Sequence, residues 1–180
     1  MVFQAPSKPM TLDEFIAYVL LPENAERNFE FVDGEMVEKM PGLTENSGIA
    51  YNIGIETAIH CRQNNLPHFL TGEAGAYRIG DYTLVPDFAY KTTPLSNQYP
   101  DPIAPLWAVE VISPNDKVRE IRKKRQRYLE AGILLWEVYP DERLIDVYAP
   151  NQPVKTYGLQ DTIEVSVIAD LKIEVAKLFR

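Results

Sequence analysis

Apolar and polar positions along this chain change their spacing several times, and each change marks a predicted element. Residues 11–20, TLDEFIAYVL, begin with Thr11 as a helix N-cap and Glu14 three places on, a capping box ahead of an apolar face, which predicts a short helix. NFEFVDGEMVEKM is two alternating runs joined by Asp33-Gly34, the dipeptide of a two-residue hairpin turn. From Thr44 to about Asn64, Ile49, Ile53, Ala58 and Ile59 recur at roughly helical spacing and predict one long helix.

Three strand-like runs follow, HFLTGE, GAYRIGD and YTLVPDFAY, punctuated by glycine and aspartate. A proline-rich loop, TTPLSNQYPDPIAP, leads to the apolar strand LWAVEV. Ser113 to Asp116 supply capping groups for a helix from about Asp116 to Ala131, closed by Gly132. ILLWEVYPDERLIDVYAP and TYGLQDTIEVSV read as a strand meander, and ADLKIEVAKLFR as a short terminal strand or helix. Helices and strands in this order predict a single domain over residues 1–180, α+β or mixed α/β, layered around one sheet.

A length of 180 residues at 46% hydrophobic content suffices for one continuous core and leaves little for a second domain. No apolar run is long enough for a membrane span, and the N-terminal stretch lacks the layout of a secretory signal. The expected location is therefore the cytoplasm. The single cysteine, Cys61, forms no internal disulfide or multi-thiolate zinc site and is expected to be a small buried hydrophobe. A net charge of −8 speaks against a general nucleic-acid binder, but its distribution is uneven. KVREIRKKRQR gathers Lys117, Arg119, Arg122, Lys123, Lys124, Arg125 and Arg127 against Glu120 alone, a positive stripe on an acidic body.

Two acids are out of place in this pattern. Alternation along LWAVEV puts Trp107, Val109 and Val111 on one face and Ala108, Glu110 and Ile112 on the other, so Glu110 shares a face with small and apolar groups. Such a carboxylate must be paired, protonated or bound to a cation. Asp87 is likewise embedded in a predicted strand, directly after Pro86. On neighbouring strands, two carboxylates about 4 Å apart would repel by about 4 kcal/mol at an effective dielectric near 20, and a divalent cation removes that repulsion. Magnesium suits carboxylate oxygens and keeps waters for chemistry on phosphates; manganese is its substitute.

Pro86-Asp87, followed by Glu110 after a proline-rich loop, resembles the PD-(D/E)XK nuclease signature. RNFEFVDGEMVEKMP, VPDFAY, AVEVISPND and KRQRYLEAGILLWEVYP in this order resemble the Uma-two family of restriction-endonuclease-like proteins over roughly residues 11–178. The resemblance implies a restriction-endonuclease-like central sheet flanked by helices, with additional antiparallel strands. It also implies a metal-dependent DNA endonuclease with Asp87 and Glu110 as metal ligands.

The chain departs from that signature at Ile112, which stands two residues after Glu110 where the superfamily has its lysine. The family pattern has a lysine four residues before a tyrosine, which here is Lys124 before Tyr128. Lys124 lies at the edge of the stripe formed by Val118, Ile121, Tyr128 and Leu129, a place from which its stem packs inward and its charge reaches the site. Arg125, nearer the stripe's centre, is its rival as the inward-facing cation. The family also has an acid at Glu30, a metal ligand, a water-orienting base or a solvent-facing hairpin residue. Asn46 replaces a frequent family histidine. His60 and His68 have no ligand-like spacing; Asp33, Asp101 and Asp116 read as turn or capping acids, and Tyr128 and Trp136 as core aromatics.

The reading that follows is phosphodiester hydrolysis on DNA. Asp87 and Glu110, with the Val111 carbonyl, would hold magnesium, and Lys124 would orient water or offset transition-state charge. Lys117, Arg119, Arg122, Lys123, Arg125 and Arg127 would approach the phosphate backbone. A homodimer is expected, permitted by apolar strands near the C-terminus. One rival keeps the fold without the chemistry, as a nucleic-acid-binding or regulatory protein; another is a metal-free carboxylate-pair hydrolase acting on a sugar.

Overall fold

A computed structural model describes residues 9–39 and 42–180. The N-terminal reading that found no secretory signal falls largely on residues 1–8, outside the described residues, as do Met40 and Pro41 of the hairpin segment. Helix α1, Leu12–Val19, carries the expected capping box, with Thr11 Oγ1 accepting from the Glu14 amide and the Glu14 carboxylate from the Thr11 amide. Strands β1, Phe29–Val32, and β2, Glu35–Glu38, form the expected hairpin, and Asp33 and Gly34 both take positive φ (54° and 78°). Phe29 and Phe31 turn toward Phe15 of α1, so the alternate residues of β1, Glu30 and Val32, face the other way.

Helix α2, Thr44–Gln63, buries Ile49, Ala50, Ile53, Thr57 and Cys61 on one side and leaves Tyr51, Ile55 and Ile59 exposed on the other. Strands β3 (Phe69–Gly72), β4 (Tyr77–Ile79), β5 (Tyr82–Leu84) and β6 (Phe88–Lys91) follow. The run YTLVPDFAY is thus two strands in different sheets. β5 pairs with β1 and β4, and β6 with β3 and β7, the strand Trp107–Val111. Pro86, which has no N–H to give a ladder, sits at the switch, so Asp87 lies at the head of β6 and not in the middle of a strand.

Helix α3, Val118–Glu130, starts two residues later than expected and ends at Gly132 with φ +74°. It is the crossover between β7 and the parallel strand β8, Leu134–Tyr139. Of the stripe expected on α3, Val118 is exposed and Tyr128 is the fully buried member. Strands β9 (Leu144–Tyr148) and β10 (Lys155–Tyr157) complete a six-stranded sheet of order β10-β9-β8-β7-β6-β3; a second sheet runs β2-β1-β5-β4. β11 (Thr162–Glu164) and β12 (Lys172–Glu174) make a separate two-stranded ribbon ending in a 3-10 turn, so the meander closes at β10.

The alternation expected in β7 is present. Trp107, Val109 and Val111 join a core with α2 and the C-terminal segment, whereas Ala108 packs with Tyr128 and Leu135 on the opposite face. The C-terminal apolar residues Ile163, Val165, Ile173, Val175 and Leu178 are fully spent in that first core, so they offer no exposed apolar strand for pairing copies. Cys61 is fully buried, as expected, and burial pushes its thiol pKa up.

Asp101 caps a turn, as expected, with Oδ1 accepting from the Ile103 amide two residues on, but it is also buried. It accepts from the fully buried Lys91 ammonium at 2.7 Å and from the amides of Ser96 and Ile103, anchoring the proline-rich loop to β6. Burial works against its charge, but Lys91 and the two amides hold its pKa below the usual carboxylate value. The lowered pKa contributes stability above the unfolded value and loses it as pH falls through the folded one. Asp101→Asn leaves Lys91 buried without a counter-charge and is expected to cost about 3–5 kcal/mol in urea unfolding at neutral pH. A loss below about 1 kcal/mol would place the pair among weak surface bridges.

Candidate active site

Where the two larger sheets meet α3, three carboxylates and two ammoniums gather in a cleft of about 990 Å³. Glu110 comes from β7, Glu30 from the inward face of β1 and Asp87 from the sheet switch. Pairing of β6 with β7 brings Asp87 beside Glu110: the Asp87 amide donates to Val109 O at 3.0 Å, and Asp87 Oδ2 accepts from the Val111 amide at 2.7 Å. Glu30 Oε1 accepts from the Val85 amide at 3.0 Å, an acceptor for a backbone donor that belongs to neither sheet ladder.

Lys124 is the cation that reaches these acids. Its Nζ lies 2.8 Å from Glu110 Oε2 and 3.0 Å from Glu30 Oε1. Arg125 also turns inward, but to a different acid: its guanidinium grips the buried Glu137 of β8 through two hydrogen bonds and covers the Tyr148 ring. The sequence set the two residues against each other as rivals, whereas the fold uses both. Glu30 faces the site and not solvent, with its side chain 9% exposed.

Three participants were missed. Tyr128, read as a core aromatic, is fully buried and donates its phenol to Glu110 Oε1 at 2.7 Å. Lys39, just past β2, places its ammonium 2.7 Å from Asp87 Oδ1 and 2.6 Å from Val85 O. Glu137 lines the cleft and is the register partner of Glu110. An acid within the apolar run LLWEVY was the same signal that singled out Glu110. For Lys39 no signal existed, because its partner lies 48 positions away.

Burial pushes the Glu110 pKa up, and Lys124 and Lys39 offset this only in part. Burial opposes the charge of Lys124 as well, but Glu110 and Glu30 overcome it and raise its pKa, so Lys124 is charged at neutral pH. Lys39 is raised for the same reason, with Glu110 and Asp87 prevailing over burial. Tyr128 is raised well above its usual value by burial and the Glu110 charge, which keeps its phenol a donor. With all five groups charged, three carboxylates against two ammoniums leave one net negative charge.

The donor set consists of hard oxygens of the kind magnesium takes. Among the described residues no three His, Cys, Asp or Glu side chains converge as a ready metal cage. Two carboxylates with water fit a magnesium site all the same, because that ion keeps several waters and uses one or two carboxylates. Val111 is tied to the site through its N–H, which holds Asp87.

Much of the basic stripe is committed internally. Lys123 pairs with Asp33 and Glu35, and Arg127 with Asp33 and Glu130 while covering the Tyr82 ring, so both pin α3 to the β1-β2 turn. Lys117 makes an exposed contact with Glu120. Arg119 and Arg122 are exposed and have no ion pair among the described residues. Arg125 and Arg127 are therefore anchors of α3 and not free cations. Asn46 lines the cleft and donates to Ser113 Oγ at 2.8 Å. His60 and His68 bond carbonyls of Ala169 and Leu66 and stay out of the cleft lining.

The family described as "Uma2: Putative restriction endonuclease" matches residues 12–176. A crystal structure described as "a putative nuclease belonging to DUF820", from Anabaena variabilis, superposes with a TM-score of 0.78 at 24% identity, covering 95% of this chain and 98% of that one, a likeness of fold. No curated protein matches the chain. No described helix is long and apolar enough to cross a membrane.

Proposed function

We propose, because this chain belongs to the Uma2 family, that its cleft is the active site of a metal-dependent endonuclease that hydrolyses DNA phosphodiester bonds. The observation that carries the reading is the convergence of Asp87, Glu110 and Lys124 from a sheet switch, a central strand and a crossover helix. Asp87 and Glu110 would hold magnesium, with Glu30 beside them. The ion would supply a water of lowered pKa and charge stabilisation on the phosphate.

The chain's own groups do the rest. The Val111 amide fixes the orientation of Asp87, and the Tyr128 phenol that of Glu110. Lys124, charged and held between Glu110 and Glu30, supplies the positive charge that Ile112 cannot. Its ammonium is positioned to offset charge that develops on phosphate oxygens. Arg119 and Arg122, with the weakly paired Lys117, are the cations left to meet the DNA backbone. A homodimer, the common arrangement of nucleases that cut both strands, and a cytoplasmic location belong to the same reading, and the dimer contact would lie outside the buried C-terminal strands.

Cleavage of plasmid and single-stranded DNA with magnesium or manganese, and its loss on adding a chelator, is the direct test. Activity that persists in chelator would replace this reading with a metal-free one. The double variant Arg119→Ala/Arg122→Ala is expected to weaken DNA binding and flatten its salt dependence by about two in the log–log slope. Fluorescence anisotropy across a salt series measures it; an unchanged slope would move the phosphate contacts elsewhere.

A second reading, a nuclease fold that binds nucleic acid without cutting it, is favoured by Ile112 in the lysine position and by the internal pairing of every site acid. It expects DNA binding with no cleavage under any divalent ion.

A further inference from the structure

The acids of the cleft do not share one counter-charge. Lys124 serves Glu110 and Glu30, whereas Asp87 is served by Lys39. The Lys39 ammonium sits between a carboxylate oxygen, Asp87 Oδ1 at 2.7 Å, and a backbone carbonyl, Val85 O at 2.6 Å. These are the two oxygen types that hard divalent cations take from proteins. Asp87 has no freedom to turn the same oxygen elsewhere, because its Oδ2 is held by the Val111 amide.

We propose that Lys39 is a tethered counter-cation of Asp87 which a divalent ion displaces on binding, so that metal affinity at this site is set by competition with that lysine. The inference rests on the metal-dependent reading above and deepens it. Its mechanical requirement is met by the chain: the Lys39 amide donates to Asn28 O at 2.8 Å, which fixes the backbone beside β1. Displacement therefore needs movement of the four-carbon stem alone, and a lysine stem is flexible. Its side chain is 22% exposed, against 15% for Asp87, so it has solvent to move into. Lys39 is on this account a positioning residue that acts through Asp87.

A merely structural lysine behaves in the opposite way. If Lys39 only pins the end of β2 to the sheet switch, its removal loosens Asp87 and weakens metal binding. If it competes, its removal takes a positive charge away from the metal position and strengthens binding. Sign alone separates the two.

The experiment is manganese titration by calorimetry at neutral pH on the full chain, with circular dichroism to confirm folding. The wild type is compared with Lys39→Met, Lys39→Gln and Asp87→Asn. Lys39→Gln retains an N–H donor for the two oxygens without the charge, and decides the matter if Lys39→Met fails to fold. Both Lys39 variants are expected to bind manganese at least about tenfold more tightly than the wild type, and Asp87→Asn not at all. Unchanged or weaker binding by a folded Lys39→Gln overturns the proposal and leaves the nuclease reading intact. Absence of binding in both the wild type and Lys39→Gln overturns the metal reading, and the competition with it.

Discussion

Asp87→Asn is expected to reduce metal-dependent cleavage by about a thousandfold while the chain stays folded. The estimate follows from the several kcal/mol of transition-state stabilisation that a catalytic metal supplies, at about 1.4 kcal/mol per decade of rate. Folding survives because asparagine still offers an oxygen to the Val111 amide, the contact that ties the sheet switch to β7. Its new amide group faces the Lys39 ammonium, donor against donor, but Lys39 keeps Val85 O as a partner. The stability loss is then about 1–3 kcal/mol, the range for one lost charge-assisted hydrogen bond. Plasmid nicking beside a thermal melt measures both quantities. A folded variant that nicks DNA at the wild-type rate would remove Asp87 from the active site.

Lys124→Met should produce the larger combined effect, loss of cleavage together with about 3–5 kcal/mol of stability at neutral pH. Methionine retains much of the packing of the stem, so the loss isolates the charge. Glu110 and Glu30 have side chains only 9% exposed and share this one ammonium, so its removal leaves two buried carboxylates facing each other. The deficit has a defined pH dependence. Burial already raises the Glu110 pKa above its ordinary 4.5, and Lys124 is the strongest group pulling it back. Without Lys124 the folded-state value moves further up, above the unfolded one. Stability linked to Glu110 is then fully present below pH 4.5 and is lost as pH rises through the raised folded value. The gap between wild type and variant therefore narrows on acidification, which urea unfolding at pH 7 and pH 5 would reveal. An equal gap at both values would assign the loss to packing.

How legible this site was depended on the distance over which its contacts act. The capping box of α1 and the Asp33-Gly34 turn each depend on residues two or three apart, and both are present. The faces of β7 depend on alternation alone, and Trp107, Val109 and Val111 do share a core opposite Ala108. Glu110 was recognisable because a charge in an apolar strand is costly without a partner. Glu137 carried the same signal in β8 and was passed over.

Where the reading went astray, a partner from elsewhere in the chain decided the outcome. YTLVPDFAY looks like one strand because alternation continues through it, but Pro86 and the competing sheets divide it. Asp101 does cap its turn, but its burial and its pairing with Lys91, ten positions back, were not visible in the pattern. The basic run looked like one open stripe, yet Lys123, Arg125 and Arg127 are neutralised by Asp33, Glu35 and Glu137, acids outside their helix.

By itself, then, the sequence determined the three helices, the first hairpin and the face on which Glu110 lies, because periodicity and capping act within a few residues, and its motifs carried the resemblance that pointed to Asp87, Glu110 and Lys124. Only the tertiary structure decided which charge meets which. Lys39 finds Asp87 across 48 positions and Tyr128 finds Glu110 across 18. Ion pairs and hydrogen bonds act over a few ångströms of space, and distance along the chain does not encode them.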